Sequence, residues 1–173
     1  WKKSRGIDVV KGKARLVDAH TVEVDTGKEK KNLTAEYIVV AVGSEPAEIA
    51  AFNVDHEKII TSNEIMDFSR PMPKSIVIIG SGAIGLEYGH IYNIYGVDVT
   101  IVEMMPNLVP ALHEPEITDA VCKSLEKRGI KVKTGSGIAS VEKLDDGTVK
   151  STLANGEELI SDEVLVAIGR TLN

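Results

Sequence analysis

The chain has 173 residues, and its composition and charge exclude several classes of protein. Hydrophobic residues make up 43% and charged residues 27%, so a packed core is feasible and extensive disorder is not expected. The net charge of −6 argues against a nucleic-acid backbone binder, and 4% aromatic residues argue against a base-stacking surface. No apolar run approaches the roughly 20 residues of a membrane span. A single cysteine, Cys122, excludes a disulfide within the chain.

The N-terminal part is predicted to contain a β-hairpin followed by a buried strand. Residues 12–25 are predicted to form the hairpin, because Val22 and Val24 alternate with polar residues after a turn near Asp18–His20. The compact apolar run Tyr37–Val42 ends at Gly43, and we interpret it as a buried strand.

A short helix and a break in the chain are predicted next. The segment Thr61-Ser62-Asn63-Glu64 fits a capping box, which predicts a helix through Phe68. Pro71 and Pro73 then interrupt the chain, and we expect a domain boundary there.

From Ser75 onwards, strands and helices alternate regularly. The predicted order is a strand at Ile76–Ile79, a helix at 83–95, a strand at Val97–Val102, a helix from Pro115 that stops at Gly129, and a strand at Ile130–Lys133. Short links between such elements favour parallel strands with right-handed crossovers. The apolar residues at helical spacing are Ile84, Ile91 and Tyr95 in the first helix and Ile117, Val121 and Leu125 in the second.

The C-terminal part is predicted to be an antiparallel meander and one more strand. Two strong hairpin signals, Asp146-Gly147 and Asn155-Gly156, lie within residues 138–160. The apolar segment Glu163–Ile168 then predicts a last strand, which ends at Gly169.

Two stretches of the chain resemble each other at a separation of 126 residues. Residues 33–43 align with residues 159–169, and both stretches end in glycine. Buried strands often look alike, which is one explanation. The other is a pair of homologous dinucleotide-binding units, in which case the first unit's glycine loop lies upstream of residue 1 and the chain is truncated.

The motif Gly80-Ser81-Gly82-Ala83-Ile84-Gly85 follows a predicted strand directly and opens a predicted helix. In this context the first glycine allows the tight turn, and the second lets a pyrophosphate approach the backbone. The third glycine permits close packing of the helix on the strand. The pyrophosphate would rest on unpaired N–H groups at the positive end of the helix.

Glu103 ends the second strand of this region, 18 residues beyond Gly85. A carboxylate at this position accepts hydrogen bonds from the adenosine ribose and repels a 2′-phosphate. No arginine follows it in Met104-Met105-Pro106, so NAD(H) is predicted over NADP(H). The alternative is a strand-end glutamate that is merely solvated.

The remaining candidate functional residues say less about the function of the chain. Glu87 lies early in the helix, where it either has a functional role or only complements the helix dipole. Gly89 within the helix suggests close packing against a neighbouring backbone or a cofactor. The four histidines show no spacing suited to a metal site, and Cys122 is interpreted as a structural residue.

Four segments of the chain resemble the pyridine nucleotide-disulfide oxidoreductases, a family of flavoproteins. GSGAIGLE at residues 80–87 and GVDVTIVE at 96–103 are most similar to the dihydrolipoamide dehydrogenase branch. AVGSEP at 41–46 and AIGRTLN at 167–173 resemble the family segments A-T-G-S-x-P and A-I-G-R-x-P-N. Val42 and Leu172 depart from the usual threonine and proline.

The resemblance implies a set of cofactor contacts. For NAD these are Gly80, Ser81, Gly82, Ala83, Ile84, Gly85, Glu103, Ile138 and Gly169, and for FAD they are Ala14, Val42, Gly43 and Ser44. Glu87 corresponds to a position where nicotinamide meets flavin. The family's flavin glycine motif, redox disulfide and catalytic His–Glu pair have no counterpart among these residues, so no catalytic residue is predicted in the chain.

The predicted fold class is α/β, with a Rossmann-like NAD-binding domain flanked by partial FAD-domain segments. Its parallel sheet has a βαβαβ core and carries an antiparallel three-strand meander. The predicted ranges are 1–72 for a partial FAD-domain segment, 73–161 for the NAD-binding domain and 162–173 for a return strand.

The function implied is that of the central portion of an NAD-dependent flavoprotein dehydrogenase, inactive as this chain alone. The whole enzyme is expected to be a cytoplasmic or mitochondrial-matrix homodimer, as part of a 2-oxoacid dehydrogenase complex, without nucleic-acid or membrane partners. The alternatives are a stand-alone NAD-binding or sensing module, or another NAD(P)H-dependent reductase of the same superfamily.

Overall fold

A computed structural model describes residues 5–67 and 69–173 of the chain. The described residues divide into two compact units between Val42 and Gly43. The smaller unit contains a three-stranded antiparallel sheet of strands β1 (Lys13–Asp18), β2 (Thr21–Asp25) and β3 (Lys30–Thr34). The predicted hairpin is confirmed, and the backbone N–H of His20 donates to Asp18 Oδ1 (2.8 Å) in its turn.

The prediction of a buried strand at Tyr37–Val42 is wrong. Residues 37–42 form neither helix nor strand, and the side chains of Tyr37 and Val39 are 81% and 86% exposed. A strand depends on hydrogen bonds to neighbouring strands, and no strand of the described residues pairs with this run. An apolar composition alone therefore did not make this segment a buried strand.

The larger unit is built on a five-stranded parallel sheet. Its elements in chain order are β4 (Ser44–Pro46), a 3-10 turn (Ala50–Phe52), β5 (Ile59–Ile60), α1 (Ser62–Ile65), β6 (Ser75–Ile79), α2 (Ala83–Ile94), β7 (Asp98–Glu103), α3 (Pro115–Lys127), β8 (Lys131–Thr134), β9 (Ile138–Lys143), β10 (Val149–Leu153), β11 (Glu158–Ser161), β12 (Glu163–Val166) and β13 (Arg170–Leu172). The parallel sheet has the order β5-β12-β6-β7-β8. The predicted α/β class and its βαβαβ core are confirmed.

The two faces of the parallel sheet are covered by different elements. Alternate strand residues point to opposite faces, as their spacing of two requires. Ile78 and Ile101 pack in one buried cluster with Tyr92 of α2 and Leu125 of α3. Residues of the opposite face, such as Val77, pack in a second cluster with the β9–β11 meander; its buried members are Phe52, Ile59, Val77, Ile79, Val102, Val141, Val149, Leu153, Val164 and Val166.

Helix α2 packs against the sheet through two glycines and one tyrosine. Gly85, Gly89 and Tyr92 are its buried residues, whereas Tyr95 is 70% exposed. A Cβ on Gly89 would lie 3.1 Å from Ile101 Cδ1 and 3.4 Å from a methyl group of β6. The glycine therefore allows the close packing that the sequence suggested, and the apolar residues at helical spacing lie largely outside this contact.

The ends of the other helices follow the sequence signals. Thr61 caps α1 in the predicted capping box, and its backbone N–H donates to Glu64 Oε2 (2.9 Å). The helix ends at Ile65, earlier than predicted, and the expected terminus at Phe68 lies outside the described residues. Pro115 occupies the first turn of α3, and Gly129 follows this helix with φ +87°.

Strand β12 lies inside the parallel sheet, between β5 and β6. From its sequence, this segment is interpreted as the return towards a flavin domain. The tertiary structure pairs Glu163 with Ile76 and Val164 with Ile59, because a buried parallel strand gains partners on both sides. Strand β13 then pairs antiparallel with β4. The ranges 1–72, 73–161 and 162–173 remain predictions for the whole protein.

Asp55 stabilises the turn before β5, and we expect this contribution to depend on pH. Its Oδ1 accepts N–H groups from Glu57 (2.9 Å), Lys58 (2.8 Å) and Ile59 (2.8 Å). Burial raises the pKa of this carboxyl. The backbone donors and the charge of Lys143 together lower the pKa by more than burial raises it, so the net pKa lies below the ordinary value. The charged form is therefore favoured by folding, and the stabilisation is lost as the pH falls.

Replacement of Asp55 by asparagine is expected to lower the free energy of unfolding by about 1–2 kcal/mol at pH 7. The difference from the unsubstituted protein should shrink as the pH falls below about 3.9, the ordinary pKa of an aspartate. Urea unfolding at several pH values measures it. Asp145→Asn is the matched control, because Asp145 is exposed in the β9–β10 turn and shows no such donors. If the stability difference between Asp55→Asn and the unsubstituted protein did not change with pH, the proposed role of the charged Asp55 carboxylate would be contradicted.

Candidate dinucleotide-binding site

The glycine loop joins β6 to α2 and makes a turn that requires glycine at its first position. Gly80 has φ +103°, a left-handed conformation that side chains disfavour. Its N–H donates to the carbonyl of Val102 (2.9 Å), so the loop begins against the end of β7. A Cβ at Gly80 would overlap the carbonyl oxygen of Ala167, which follows β12.

The third glycine of the motif is required by packing within the protein. A Cβ on Gly85 would overlap the carbonyl oxygen of Gly80 and lie 3.3 Å from Ile78 Cγ2. The first turn of α2 therefore lies directly on the loop and on strand β6. This agrees with the sequence interpretation of close helix–strand contact.

The second glycine differs from both of its neighbours in the motif. A Cβ on Gly82 would meet no protein atom within 4 Å, and its φ of −69° is accessible to any residue. Neither the backbone conformation nor the packing of the chain therefore requires glycine here. The space beside Gly82 fits a group outside the protein, as a pyrophosphate held against the backbone would demand.

The start of α2 has an unsatisfied positive end. Gly82 is its N-cap, no side chain caps the helix, and its first turn carries no acidic residue. The first N–H groups of a helix have no partner within the helix, and together with the helix dipole they favour an anion. This differs from α1, whose start is closed by Thr61 and Glu64.

Glu103 is buried at the end of β7, with 5% of its surface exposed. Its Oε2 accepts hydrogen bonds from the backbone N–H (3.0 Å) and the hydroxyl (2.8 Å) of Ser81. Its Oε1 accepts the N–H of Met105 (2.9 Å). The alternative of a merely solvated glutamate is therefore wrong, because the carboxylate is tied directly to the glycine loop.

The segment that follows Glu103 is anchored at several points. Leu108 is buried with 2% exposed surface, and the N–H of Gly135 donates to the carbonyl of Met105 (2.9 Å). Val109 has φ +51°, and its N–H donates to the hydroxyl of Ser81 (3.0 Å). A cavity of about 200 Å³ borders this segment and is lined by residues including Met105, Asn107, His113 and Thr118.

The structure brings several of the predicted NAD residues together. Gly80, Ser81, Gly85 and Glu103 are linked by direct contacts. Gly169 lies two positions after Ala167. The carbonyl oxygen of Ala167 is the atom that a Cβ at Gly80 would overlap. Ile138 begins β9 next to Gly137, where a Cβ would lie 3.2 Å from Met104 Cβ.

The other predicted residues of the motif helix are more exposed. Ala83 and Glu87 are exposed on α2, and Ile84 is half-buried. Among the described residues, the Glu87 side chain makes no hydrogen bond or ion pair, so the choice between a helix-dipole role and a nicotinamide role stays a prediction. As cofactor contacts, all of the motif residues remain predictions.

The four predicted FAD residues lie in different compact units. Ala14 is exposed in β1, and Val42 ends the smaller unit, whereas Gly43 (φ +79°) and Ser44 begin the larger one. The flavin assignment of these residues therefore rests on the resemblance alone.

Sequence reasoning missed the connection of Ser44 to Arg170. The Arg170 guanidinium donates to Ser44 Oγ (2.7 Å), to the Ser44 carbonyl (2.5 Å) and to Ser62 Oγ (3.0 Å). Ser44 and Arg170 follow directly after the two similar stretches and are also separated by 126 residues, so the similarity was the available signal. The segments that directly follow the two stretches pair as strands β4 and β13.

Residues 5–67 and 69–173 contain neither a cluster of metal ligands nor a helix that could span a membrane. Within them, no three His, Cys, Asp or Glu side chains are grouped as metal ligands. No helix in this part of the chain has the length and apolar character to cross a membrane.

The parallel sheet, the glycine turn and the strand-end glutamate together define a Rossmann-like protein. The chain belongs to the pyridine nucleotide-disulphide oxidoreductase family, whose model matches residues 2–173. The family resemblance seen in the sequence is thereby confirmed.

Curated relatives carry two different activities in their names. The chain is 35% identical to dihydrolipoyl dehydrogenase of Thermus scotoductus over 172 residues, which is 97% of this chain and 36% of the relative. It is 31% identical to soluble pyridine nucleotide transhydrogenase of Mycobacterium tuberculosis over 166 residues, 95% of this chain and 35% of the relative. The chain thus spans about a third of the length of these relatives.

Solved structures show the same fold. LpdA from Mycobacterium tuberculosis matches with a TM-score of 0.86 at 24% identity, over 99% of this chain and 38% of that chain. An NAD-dependent persulfide reductase from A. fulgidus matches with a TM-score of 0.81 at 28% identity, over 99% of this chain and 33% of that chain.

Proposed function

We propose that this chain forms the NAD(H)-binding central portion of a flavoprotein disulfide oxidoreductase of the dihydrolipoamide dehydrogenase type. The observation that carries the proposal is Gly82, a glycine that no contact or torsion angle of the chain requires. It lies at an uncapped helix start, next to a loop tied to Glu103. A dinucleotide accounts for all three features, because it combines a pyrophosphate with a ribose.

Each part of the site has a distinct task in this proposal. The N–H groups at the start of α2 bind the pyrophosphate, Gly82 allows its approach, and Glu103 accepts a hydrogen bond from the adenosine ribose. Bound NAD⁺ supplies a hydride acceptor in the whole protein, where FAD is the proposed donor. The chain itself binds and orients the nucleotide. It is therefore proposed to bind NAD(H) without catalysing lipoamide turnover alone.

Glu103 is expected to make the site prefer NADH over NADPH. Its buried carboxylate would lie close to a 2′-phosphate, and two negative charges at such a distance repel each other. We expect NADH to bind about tenfold more tightly or better than NADPH. Fluorescence titration of the protein with each nucleotide measures this ratio.

The Glu103→Gln variant provides the test of cause. It removes the charge and should reduce the preference for NADH, while the exposed carboxylate of Glu126 provides the matched control Glu126→Gln. Tighter binding of NADPH to the unsubstituted protein would overturn the assignment to NAD(H). A preference that Glu103→Gln leaves unchanged would show that the discrimination arises elsewhere.

The second candidate function is a different reductase of the same superfamily, favoured by the relative named a pyridine nucleotide transhydrogenase. Assays of the protein at its natural length separate the two. Reduction of NAD⁺ by dihydrolipoamide supports the first, whereas hydride exchange between NADPH and NAD⁺ without a dithiol supports the second. The homodimer, the 2-oxoacid dehydrogenase complex and a cytoplasmic location are proposals for that whole protein.

A further inference from the structure

The side chain of Ser81 is buried and has both of its hydrogen-bonding roles occupied within the protein. Its relative exposure is 0%, its hydroxyl donates to Glu103 Oε2 (2.8 Å), and the same oxygen accepts the N–H of Val109 (3.0 Å). Its backbone N–H donates to the same Glu103 oxygen (3.0 Å). Ser81 thus joins the glycine loop to the end of β7 and to the segment that follows it.

These bonds restrict how Glu103 can bind a ribose. A carboxylate offers about four acceptor positions over its two oxygens. Ser81 occupies both positions on Oε2, and the N–H of Met105 occupies one on Oε1. One position on Oε1 remains for a ligand, so the carboxylate is already oriented when no nucleotide is bound.

The contact to Val109 gives the Ser81 hydroxyl a second task. A φ of +51° is a true outlier for a β-branched residue, and it persists only where the surroundings hold it. The bond from the Val109 N–H to Ser81 is one such restraint, and the carbonyl of Val109 accepts the N–H of Leu112 (2.8 Å). The Ser81 hydroxyl therefore contacts both Glu103 and the segment beside it, and it adds to the other bonds that hold the glycine loop and this segment in one arrangement.

We propose that Ser81 is a positioning residue for nucleotide binding, acting through Glu103 and the Val109 segment. The inference rests on the proposed function, since it assigns a role within the NAD(H) site. It also separates Ser81 from the glycines of the motif: they leave room for the nucleotide, whereas Ser81 orients the group that selects it.

The test is a double-mutant cycle on NADH affinity in the protein at its natural length. Ser81→Ala is expected to weaken NADH binding about fivefold and to reduce the preference over NADPH. In a Glu103→Gln background, the same substitution should have a clearly smaller effect, because Glu103, one of the two contacts through which Ser81 acts, is already altered. A merely structural role would persist in both backgrounds.

Ser151→Ala is the matched control for this experiment. Ser151 is also fully buried, in β10, but its hydroxyl has no hydrogen-bond partner among the described residues. Its substitution should leave NADH affinity unchanged. Amide hydrogen exchange without nucleotide provides a second measurement, in which Ser81→Ala should accelerate exchange at Val109 while Ser151→Ala does not.

The outcomes distinguish this inference from the function on which it rests. Failure of the unsubstituted protein to bind NADH would overturn the proposed function and the inference with it. Normal NADH binding that Ser81→Ala leaves unchanged would overturn the inference alone. Equal losses in both backgrounds would also overturn it. If Ser81→Ala unfolds the protein, amide exchange at Val109 is measured in the Glu103→Gln variant instead. Unchanged protection of the Val109 N–H in that variant would contradict the proposed link through Glu103.

Discussion

Replacement of Gly82 by alanine is expected to weaken NADH binding at least tenfold, with almost no loss of stability. The added methyl group would meet no protein atom within 4 Å, so it fits the folded chain without strain. It would occupy the space through which a pyrophosphate approaches the start of α2. The change at the N-cap should cost about 0.5 kcal/mol of stability. Titration with NADH and thermal unfolding without nucleotide measure the two effects separately.

This result would separate a binding role of Gly82 from a structural one. Equal NADH affinity in the Gly82→Ala variant and the unsubstituted protein would contradict the proposed pyrophosphate position. A large loss of stability would instead mean that the protein itself requires the glycine. Ala120→Ser provides a control, because Ala120 is an exposed alanine of α3 that lies outside the predicted site.

Replacement of Gly85 by alanine is expected to have the opposite pattern, with a loss of about 2–3 kcal/mol in the free energy of unfolding. Its Cβ would overlap the carbonyl oxygen of Gly80, which belongs to the backbone and cannot rotate away. Alanine gains about 1 kcal/mol in helix propensity, but this does not compensate for displacement of α2 from β6. Urea unfolding without nucleotide measures the loss directly.

Gly82→Ala serves as the matched control for Gly85→Ala, because the chemical change is the same and only the surroundings differ. Wild-type stability of the Gly85→Ala variant would show that the loop and helix can separate without cost. That outcome would contradict the close packing on which the glycine loop depends. Weaker NADH binding by this variant is expected as a consequence of the displaced loop.

Much of the larger unit could be predicted because its signals are local. The turns at Asp146-Gly147 and Asn155-Gly156, the capping box at Thr61 and the stop at Gly129 each depend on a few neighbouring residues. The alternation of strands and helices then implies a parallel sheet. The apolar run Tyr37–Val42 shows the limit, since a strand needs partners that its own residues do not specify.

The candidate site could be predicted in its positions but not in its connections. The spacing of the glycines and Glu103 indicated which residues belong to it. It did not indicate that Ser81 holds Glu103, or that Val109 adopts a positive φ against the Ser81 hydroxyl. Those contacts join residues 22 and 28 positions apart, and only the packing of β6 beside β7 brings them within bonding distance.

The amino-acid composition alone indicated only a globular protein with one cysteine. The sequence by itself determined the α/β class, the glycine motif and the family resemblance. These depend on residue types at short spacings, which a single sequence displays. The tertiary structure decided that β12 lies inside the parallel sheet, that Tyr37–Val42 is exposed, and that Gly82 alone among the motif glycines has open space beside it. Each of these features depends on contacts between residues that are far apart in the sequence. A local sequence pattern does not determine the free energy of such contacts.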